Sequence, residues 1–490
     1  MQQTIEVEHN AQREDYRARV MGCWLGKAVG GTLGMPFEGH DGPLNLEFYT
    51  PVPTEMLPND DLDLQVVWAC VLDRLSTVKV DRHILSQAWL DHVDFPWDEY
   101  GVAIRNLKNG LKAPLTGSFD NWFVNGMGAP IRSEIWACLA PGNPELAAAY
   151  AFEDACVDHG DDGIWGEVFL AALESAAFTE SNPGQLIATA LRFLPAESRT
   201  RRAVEDVQIW WQDCRDWQAV RSRVLEKHGH ENFTDAPMNI AFTILGWLAS
   251  EGDFSRAICI AVNCGKDTDC TGATVGALMG IIDPDCIPDR WLDPIGRSLV
   301  LSPGIRDLNA PATLDEFTEL VLDLSQRLDG RLPNAAVYEQ SPDGLRISAE
   351  IAFAPDMPST DETPSLIDAK KLSLPGTVGA LECDKFRDEV LLIRYHFHLP
   401  APQRVRVLFN TVSESRIWLD GEYAFGRAGG VMAPSFHRVP SKQSCDADLS
   451  ADEHTLIAAV RRPTDRPAAE WVAGIGDAAT MQWLPRAFVK

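Results

Sequence analysis

The sequence predicts a mostly α protein: an all-α bundle over residues 1–330, then an antiparallel β-sandwich or jelly roll over 376–490, with 331–375 as a linker or long loop. Three observations carry this. Apolar residues recur at three- and four-residue spacing from residue 12 to about 330, which is the period of a helix face. Beyond 331 the spacing shortens to two, the period of a half-buried strand. A chain of 490 residues also exceeds what a single hydrophobic core supports.

The helical part shows its faces directly. Leu64, Val67, Trp68 and Val71 form one stripe, and Phe169, Ala172, Leu173 and Ala176 another. Proline and glycine clusters separate the segments, as at Pro141-Gly142-Asn143-Pro144 and Ser181-Asn182-Pro183-Gly184. In the C-terminal part, Ile393, Tyr395, Phe397 and Leu399 alternate with Arg394, His396 and His398, and Val405, Val407 and Phe409 repeat the pattern. Asp420-Gly421 between Ile417-Trp418-Leu419 and Tyr423-Ala424-Phe425 is a hairpin signal. Residues 455–460 read as a more buried strand. The stretch 354–375, rich in Pro, Ser, Thr and Asp, reads as loop. A solvent-facing strand accounts for His396 and His398 better than a metal site does. No internal repeat is evident.

Composition narrows the function. Lys and Arg number 43 against 71 Asp and Glu, a formal net charge of −28. Such a surface repels a phosphate backbone, so nucleic acid is not an expected partner, nor is an acidic membrane. Eleven cysteines at irregular positions, with no CxxC pair, fit reduced thiols. The N-terminal residues lack a basic region followed by an apolar stretch, so no signal peptide is expected. Residues 21–37 are too short and too glycine-rich to span a bilayer. A cytoplasmic protein is the expectation.

Two carboxylate motifs carry the chemistry. Pro58-Asn59-Asp60-Asp61 precedes a helical stripe, and Asn263-Cys264-Gly265-Lys266-Asp267-Thr268-Asp269-Cys270 precedes a helix of small residues. Asn or Asp at a helix entrance is an ordinary cap. Adjacent carboxylates, however, repel unless something positive lies between them, and hard divalent cations take such oxygen clusters. Glycines recur every fourth residue at Gly22, Gly26, Gly30 and Gly34, and again at Gly272, Gly276 and Gly280. That spacing places each set on one helix face. Each glycine costs a helix about 1 kcal/mol against alanine, so the ladders imply close backbone approach of two helices. Glu38 follows the first ladder and would then fall near the aspartates. Trp89, Phe95, Trp97, Tyr100, Trp122 and Phe123 surround Asp120-Asn121; they suit a sugar or nucleobase and equally suit core packing.

The segment Gly22–Glu38, the Asn59-Asp60-Asp61 turn and Gly265–Gly272 resemble, in order and spacing, three signature segments of the ADP-ribosylglycohydrolase family. Asn125-Gly126 through Arg132 resembles that family's Asn-Gly-x-x-x-Arg pocket segment, and His159-Gly160 its histidine site. The resemblance covers roughly residues 15–325. It implies an all-α bundle with a centre of two divalent cations, Mg²⁺ or Mn²⁺, held by Asp60, Asp61, Asp267 and Asp269, with Asn59 offering a further oxygen. It implies Glu38, Asp61 and Asp267 as catalytic residues, with Glu38 positioning or deprotonating the attacking water. Asn125, Arg132 and His159 would bind substrate, joined by Asp120 and Asn121 from the aromatic segment. The reaction implied is hydrolysis of a ribosyl N- or O-glycosidic bond in a small-molecule, glycan or ADP-ribosyl substrate. Two positions depart from the family: Asn59 stands where Thr or Ser is common, and Cys270 where a ligating Thr is common. The Trp418–Glu422 hairpin resembles carbohydrate-binding jelly rolls appended to glycosidases, so a furanosyl glycoside or nucleoside is the alternative substrate. A sugar- or ADP-ribose-binding protein without turnover is the second alternative.

Overall fold

The computed structural model describes residues 2–333, 342–385, 389–432, 434–437 and 443–488, with side chains from residue 12 onward. The chain forms two compact units. One comprises Met1–Asp94 and Val124–Ala336, the other Phe95–Phe123 and Val337–Lys490.

The first unit is helical, as its apolar spacing predicts. The Pro-Gly clusters are helix starts as well as stops. Asn143 caps the helix Pro144–Ala155, its Oδ1 accepting from Leu146 N at 3.3 Å. Asn182 caps Pro183–Leu191 in the same way through Gln185 N at 3.1 Å. In both, proline takes the first helical position, where its missing N–H costs nothing. No helix among the described residues is long and apolar enough to cross a membrane.

The glycine ladders meet each other. The first helix, Gln2–Gly34, runs antiparallel to Thr268–Ile282. A Cβ on Gly22 would lie 2.3 Å from the carbonyl oxygen of Gly280, on Gly26 2.0 Å from that of Gly276, on Gly30 1.9 Å from that of Gly272, and on Gly34 2.2 Å from that of Thr268. Backbone therefore packs on backbone along four rungs, and only glycine fits there. The consequence for function is geometric. The C-terminal end of the first helix, leading to Glu38, is fixed beside the N-terminal end of the second, which carries Asp267 and Asp269.

The second unit is built on ten strands among the described residues: β1 Ile347–Ala354, β2 Lys370–Leu374, β3 Val378–Glu382, β4 Val390–His398, β5 Gln403–Asn410, β6 Ser415–Leu419, β7 Glu422–Arg427, β8 Ser444–Leu449, β9 Glu453–Arg461 and β10 Ala468–Asp477. Their pairings are antiparallel, in a six-stranded sheet β2-β1-β4-β9-β6-β7 and a four-stranded sheet β3-β10-β5-β8. Alternate residues of both sheets share one core, including Ile393, Tyr395, Val407, Phe409, Ala458 and Trp471. The β6–β7 turn has Asp420 at φ 48° and Gly421 at φ 89°, the two left-handed positions of a tight hairpin. His396 and His398 lie on the solvent side of β4, with side chains 42% and 55% exposed.

Two expectations are corrected. The stretch 331–375 contains β1 and β2, so the sheet begins well before residue 376. Ile347, Ala349 and Ile351 do alternate inward, but small alanines and the Pro- and Ser-rich loop that follows mask the pattern. β2 is an edge strand with two lysines, the usual protection of an exposed edge. Residues 334–341 of the expected linker lie outside the described residues. The second correction concerns 95–123. This helical segment packs with the sandwich: Val102 and Trp122 join Leu408, Phe436, Val472 and Trp483. Phe95, Tyr100 and Phe123 are buried there, and Trp89 is buried in the first unit. Core packing accounts for Trp89, Phe95, Tyr100 and Phe123, while Trp97 and Trp122 are half-buried.

Candidate active site

Three helix ends form the site. Asp60 and Asp61 open the helix Asp60–Asp73, whose cap is Asn59. Asp267 precedes the helix Thr268–Ile282 without capping it, and Asp269 lies in its first turn. Glu38 follows the short turn Met35–Phe37 that ends the first helix. Helix N-termini carry partial positive charge, which eases the crowding of carboxylates. The loops that hold these ends are joined through backbone: Gly39 N donates to Lys266 O at 2.9 Å and Lys266 N to His40 O at 2.6 Å. Gly265 and Lys266 both have positive φ, 76° and 70°, and a Cβ on Gly265 would sit 2.7 Å from Asp41 backbone. Arg221 Nε ties the loop down by donating to Cys264 O at 2.7 Å.

The side chains converge as two groups. Ligand atoms of Glu38, Asp267 and Asp269 lie within 4.8 Å of one another, and so do those of Asp61, Asp269 and Cys270. Asp269 belongs to both. Either group could hold a metal ion. Asp61, Asp267 and Asp269 are 1%, 2% and 6% exposed, while Glu38 is exposed at the rim and Asp60 half-buried. Asp269 Oδ1 is buried and accepts no hydrogen bond from the described residues. Burial pushes the Asp269 carboxyl well up, and Glu38, Asp267, Asp61 and Asp60 push it further. Carboxylates gathered at such cost, one with an unused buried oxygen, fit a divalent cation.

A cation of the protein already stands behind Asp61. Lys27 Nζ, on the first helix between two glycine rungs, lies 2.8 Å from Glu134 Oε1 and 3.5 Å from Asp61 Oδ1, with all three side chains buried. Burial alone would depress the lysine, but Glu134 and Asp61 more than offset this and keep it charged. Gln65 Nε2 donates to Glu134 Oε2 at 2.9 Å and to Asp61 O at 2.8 Å. Asn239 Oδ1 accepts from Asp267 N at 3.3 Å. Sequence reasoning missed Lys27, Glu134, Gln65 and Asn239. The one available signal was a lysine inside a glycine-rich apolar helix.

The remaining expected residues fall as follows. Asn59 serves as a cap: Asp61 N donates to its Oδ1 at 2.9 Å, and its amide nitrogen lies against Gly31. This geometry gives no support to Asn59 as a metal ligand. Thr268 Oγ1 donates to Gly34 O at 2.8 Å, turned toward the first helix. Cys270 does face the cluster, its Sγ donating to Asp61 Oδ2 at 3.7 Å.

Arg132 and His159, expected to bind substrate, are wholly buried. Arg132 pairs with Asp154 at 2.9 Å and with Asp158 at 2.6 Å, and His159 Nδ1 lies 3.1 Å from Asp158. They form an internal charge network of the bundle. Asn125 Oδ1 accepts from Asp162 N at 2.9 Å and so anchors the start of the helix Asp161–Ala177. Asp120 and Asn121 belong to the second unit. There Asp120 pairs with Arg105 at 2.9 Å and accepts from Thr377 Oγ1 and Val378 N, each at 2.8 Å. Asn121 Nδ2 donates to Gly117 O at 2.8 Å. Asn121 is thus fixed locally, and Asp120 by a distant segment of the same unit.

Among solved structures, one described as an ADP-ribosylglycohydrolase-related protein complex shares 22% identity. The match covers 64% of this chain and 99% of that one, at a TM-score of 0.46. A β-glucosidase from Kluyveromyces marxianus in complex with glucose shares 10% over 27% of this chain and 16% of its own, at 0.20. A GH31 α-xylosidase from Xanthomonas citri shares 11% over 28% and 14%, at 0.17. No curated protein matches the chain. The family model for ADP-ribosylglycohydrolase matches residues 12–330, a span that contains every residue of the carboxylate cluster. The chain belongs to the ADP-ribosylglycohydrolase family.

Proposed function

We propose that this chain is a glycosidase that uses two divalent cations, Mg²⁺ or Mn²⁺, to hydrolyse a ribosyl N- or O-glycosidic bond. The observation that carries the reading is Asp269, whose carboxylate is common to both candidate ligand groups. When bound, the cations hold sugar hydroxyls and polarise the attacking water. The chain's own residues do the rest. Asp60, Asp61, Asp267 and Asp269 supply the negative charge that fixes the cations. Glu38, exposed at the rim, is the one carboxylate of the Glu38–Asp267–Asp269 group open to solvent, so it orients the water and takes its proton. Water then attacks the anomeric carbon as the bond to the leaving group breaks, and the proton taken up by Glu38 passes to the departing nitrogen or oxygen. The eleven free thiols suit a reducing, cytoplasmic setting.

The test is product analysis with Mg²⁺ or Mn²⁺ on ADP-ribosyl-arginine, free nucleosides and furanosyl glycosides. Release of ADP-ribose supports the ribosyl reading. Cleavage of the glycosides alone replaces it with a furanosidase. Binding of sugar with no cleavage, metal loaded, turns the chain into a binding protein, the reading that Cys270 in the cluster favours.

A further inference from the structure

The two groups that share Asp269 differ in donor chemistry. Glu38, Asp267 and Asp269 present carboxylate oxygens alone, whereas Asp61, Asp269 and Cys270 include sulfur. The Cys270 side chain is 7% exposed and its Sγ contacts Asp61 Oδ2 at 3.7 Å. Asp269, 6% exposed, belongs to both groups, and its buried Oδ1 accepts no hydrogen bond from the described residues. That oxygen is open to a ligand, independently of the count of acids. Lys27 Nζ adds a third difference. It stands 3.5 Å from Asp61 Oδ1, on the sulfur-containing side.

These facts act in one direction. Mg²⁺ is held by oxygen charge and demands a regular oxygen shell. A fixed ammonium beside Asp61 weakens the electrostatic pull on any divalent ion there, so a ligand bond with covalent character has to compensate, and sulfur gives Mg²⁺ little of that. A borderline cation such as Zn²⁺ or Co²⁺ gains covalent stabilisation from sulfur that Mg²⁺ does not. We propose that the centre is asymmetric: the Asp61–Asp269–Cys270 half selects a sulfur-accepting cation of the Zn²⁺ type, and the Glu38–Asp267–Asp269 half a hard cation of the Mg²⁺ type. The inference rests on the proposed two-cation centre, not on which glycosidic bond is cut, and it replaces Mg²⁺ or Mn²⁺ by a Zn²⁺-type ion in the Asp61–Asp269–Cys270 half only.

The full-length protein, freed of metal by chelation, is titrated with Co²⁺. Sulfur bound to Co²⁺ gives a charge-transfer band in the near ultraviolet, which oxygen ligation does not. The band is expected to saturate at one equivalent, to be displaced by Zn²⁺ and to survive excess Mg²⁺. Cys270→Ser is expected to abolish the band and to weaken Zn²⁺ binding on the order of tenfold or more, with Mg²⁺ binding retained. Cys270→Thr, close to cysteine in volume, repeats the measurement, and thermal melts establish that each variant is folded. Absence of the band in the wild type, its persistence in both variants, or its displacement by Mg²⁺ overturns the proposal. Hydrolysis is assayed separately. Turnover with Mg²⁺ but no cobalt–sulfur band removes the asymmetry and leaves the hydrolase. A band without turnover on any substrate does the reverse.

Discussion

Gly30→Ala tests whether the site depends on backbone contact between two helices. The new Cβ would lie 1.9 Å from Gly272 O, where ordinary contact begins at 3.4 Å, so the helices must part by about 1.5 Å (3.4 less 1.9). Forced overpacking costs typically ~1–3 kcal/mol. Here the obstacle is backbone, which has no rotamer to escape into, so the upper end, ~3 kcal/mol, applies. Alanine returns about 1 kcal/mol of helix propensity. The net loss is ~2 kcal/mol, or roughly 3 °C in apparent melting temperature for a unit of this size. Separation at this rung also displaces Asp267 and Asp269 from Asp61, so Mn²⁺ binding weakens. Far-ultraviolet circular dichroism melts and titration calorimetry read the two effects. Gly184→Ala is the control: the residue is exposed in a helix and its Cβ would meet only Asn182 Oδ1, at 3.3 Å. A Gly30→Ala protein that melts at or above the wild-type temperature and binds Mn²⁺ unchanged would refute the reasoning.

Three further outcomes are expected. Asp267→Asn removes one charge from a self-repelling cluster, so turnover falls to background while the metal-free protein melts no lower than wild type; a variant that keeps its activity contradicts the ligand assignment. Lys27→Met leaves buried Asp61 and Glu134 without their cation and costs about 3–5 kcal/mol, a loss that excess Mn²⁺ partly restores by binding the folded state; equal melting temperatures would rule this out. Burial pushes Glu134 up to about 7 from 4.5, against the opposing pull of Lys27. The folded chain then holds a proton there that the unfolded chain releases. That stabilisation is complete below pH 4.5 and is lost as pH rises through about 7. Metal-free Glu134→Gln should therefore lose less stability than wild type between about pH 5 and pH 8, measured by urea unfolding.

What the sequence reveals here follows from how local the cause is. The ladders are legible because each glycine acts against its own helix, and a repeated cost at fixed spacing has to be offset by packing. Glu38, Asp267 and Asp269 are legible because they sit at the ends of those ladders. The Asp420-Gly421 turn is legible because its two residue types meet a backbone demand in place. Lys27 is not, since its partner Glu134 is 107 residues away and a lysine in an apolar helix does not name its partner. Asp120 misleads for the same reason: it sits beside aromatics and an asparagine like a sugar-binding residue, while its hydroxyl partner Thr377 lies 257 residues further along. Arg132 and His159 resemble pocket residues in sequence, yet their carboxylate partners take both inside. β2 escapes because an edge strand protected by lysines has no alternation to show.

The excursion of residues 95–123 into the second unit governs how the protein can be divided. The chain passes from one unit to the other three times, after Asp94, after Phe123 and after Ala336. The family-matched span, 12–330, is thus not a self-sufficient piece. A chain cut at residue 330 would retain Val102, Trp122 and the Arg105–Asp120 pair but lose Leu408, Val472, Trp483 and Thr377, against which they pack. The orphaned loop would expose an apolar face and a buried ion pair in the middle of the hydrolase sequence. Truncation should therefore yield aggregates, and the two units are expected to be made, degraded and inherited together.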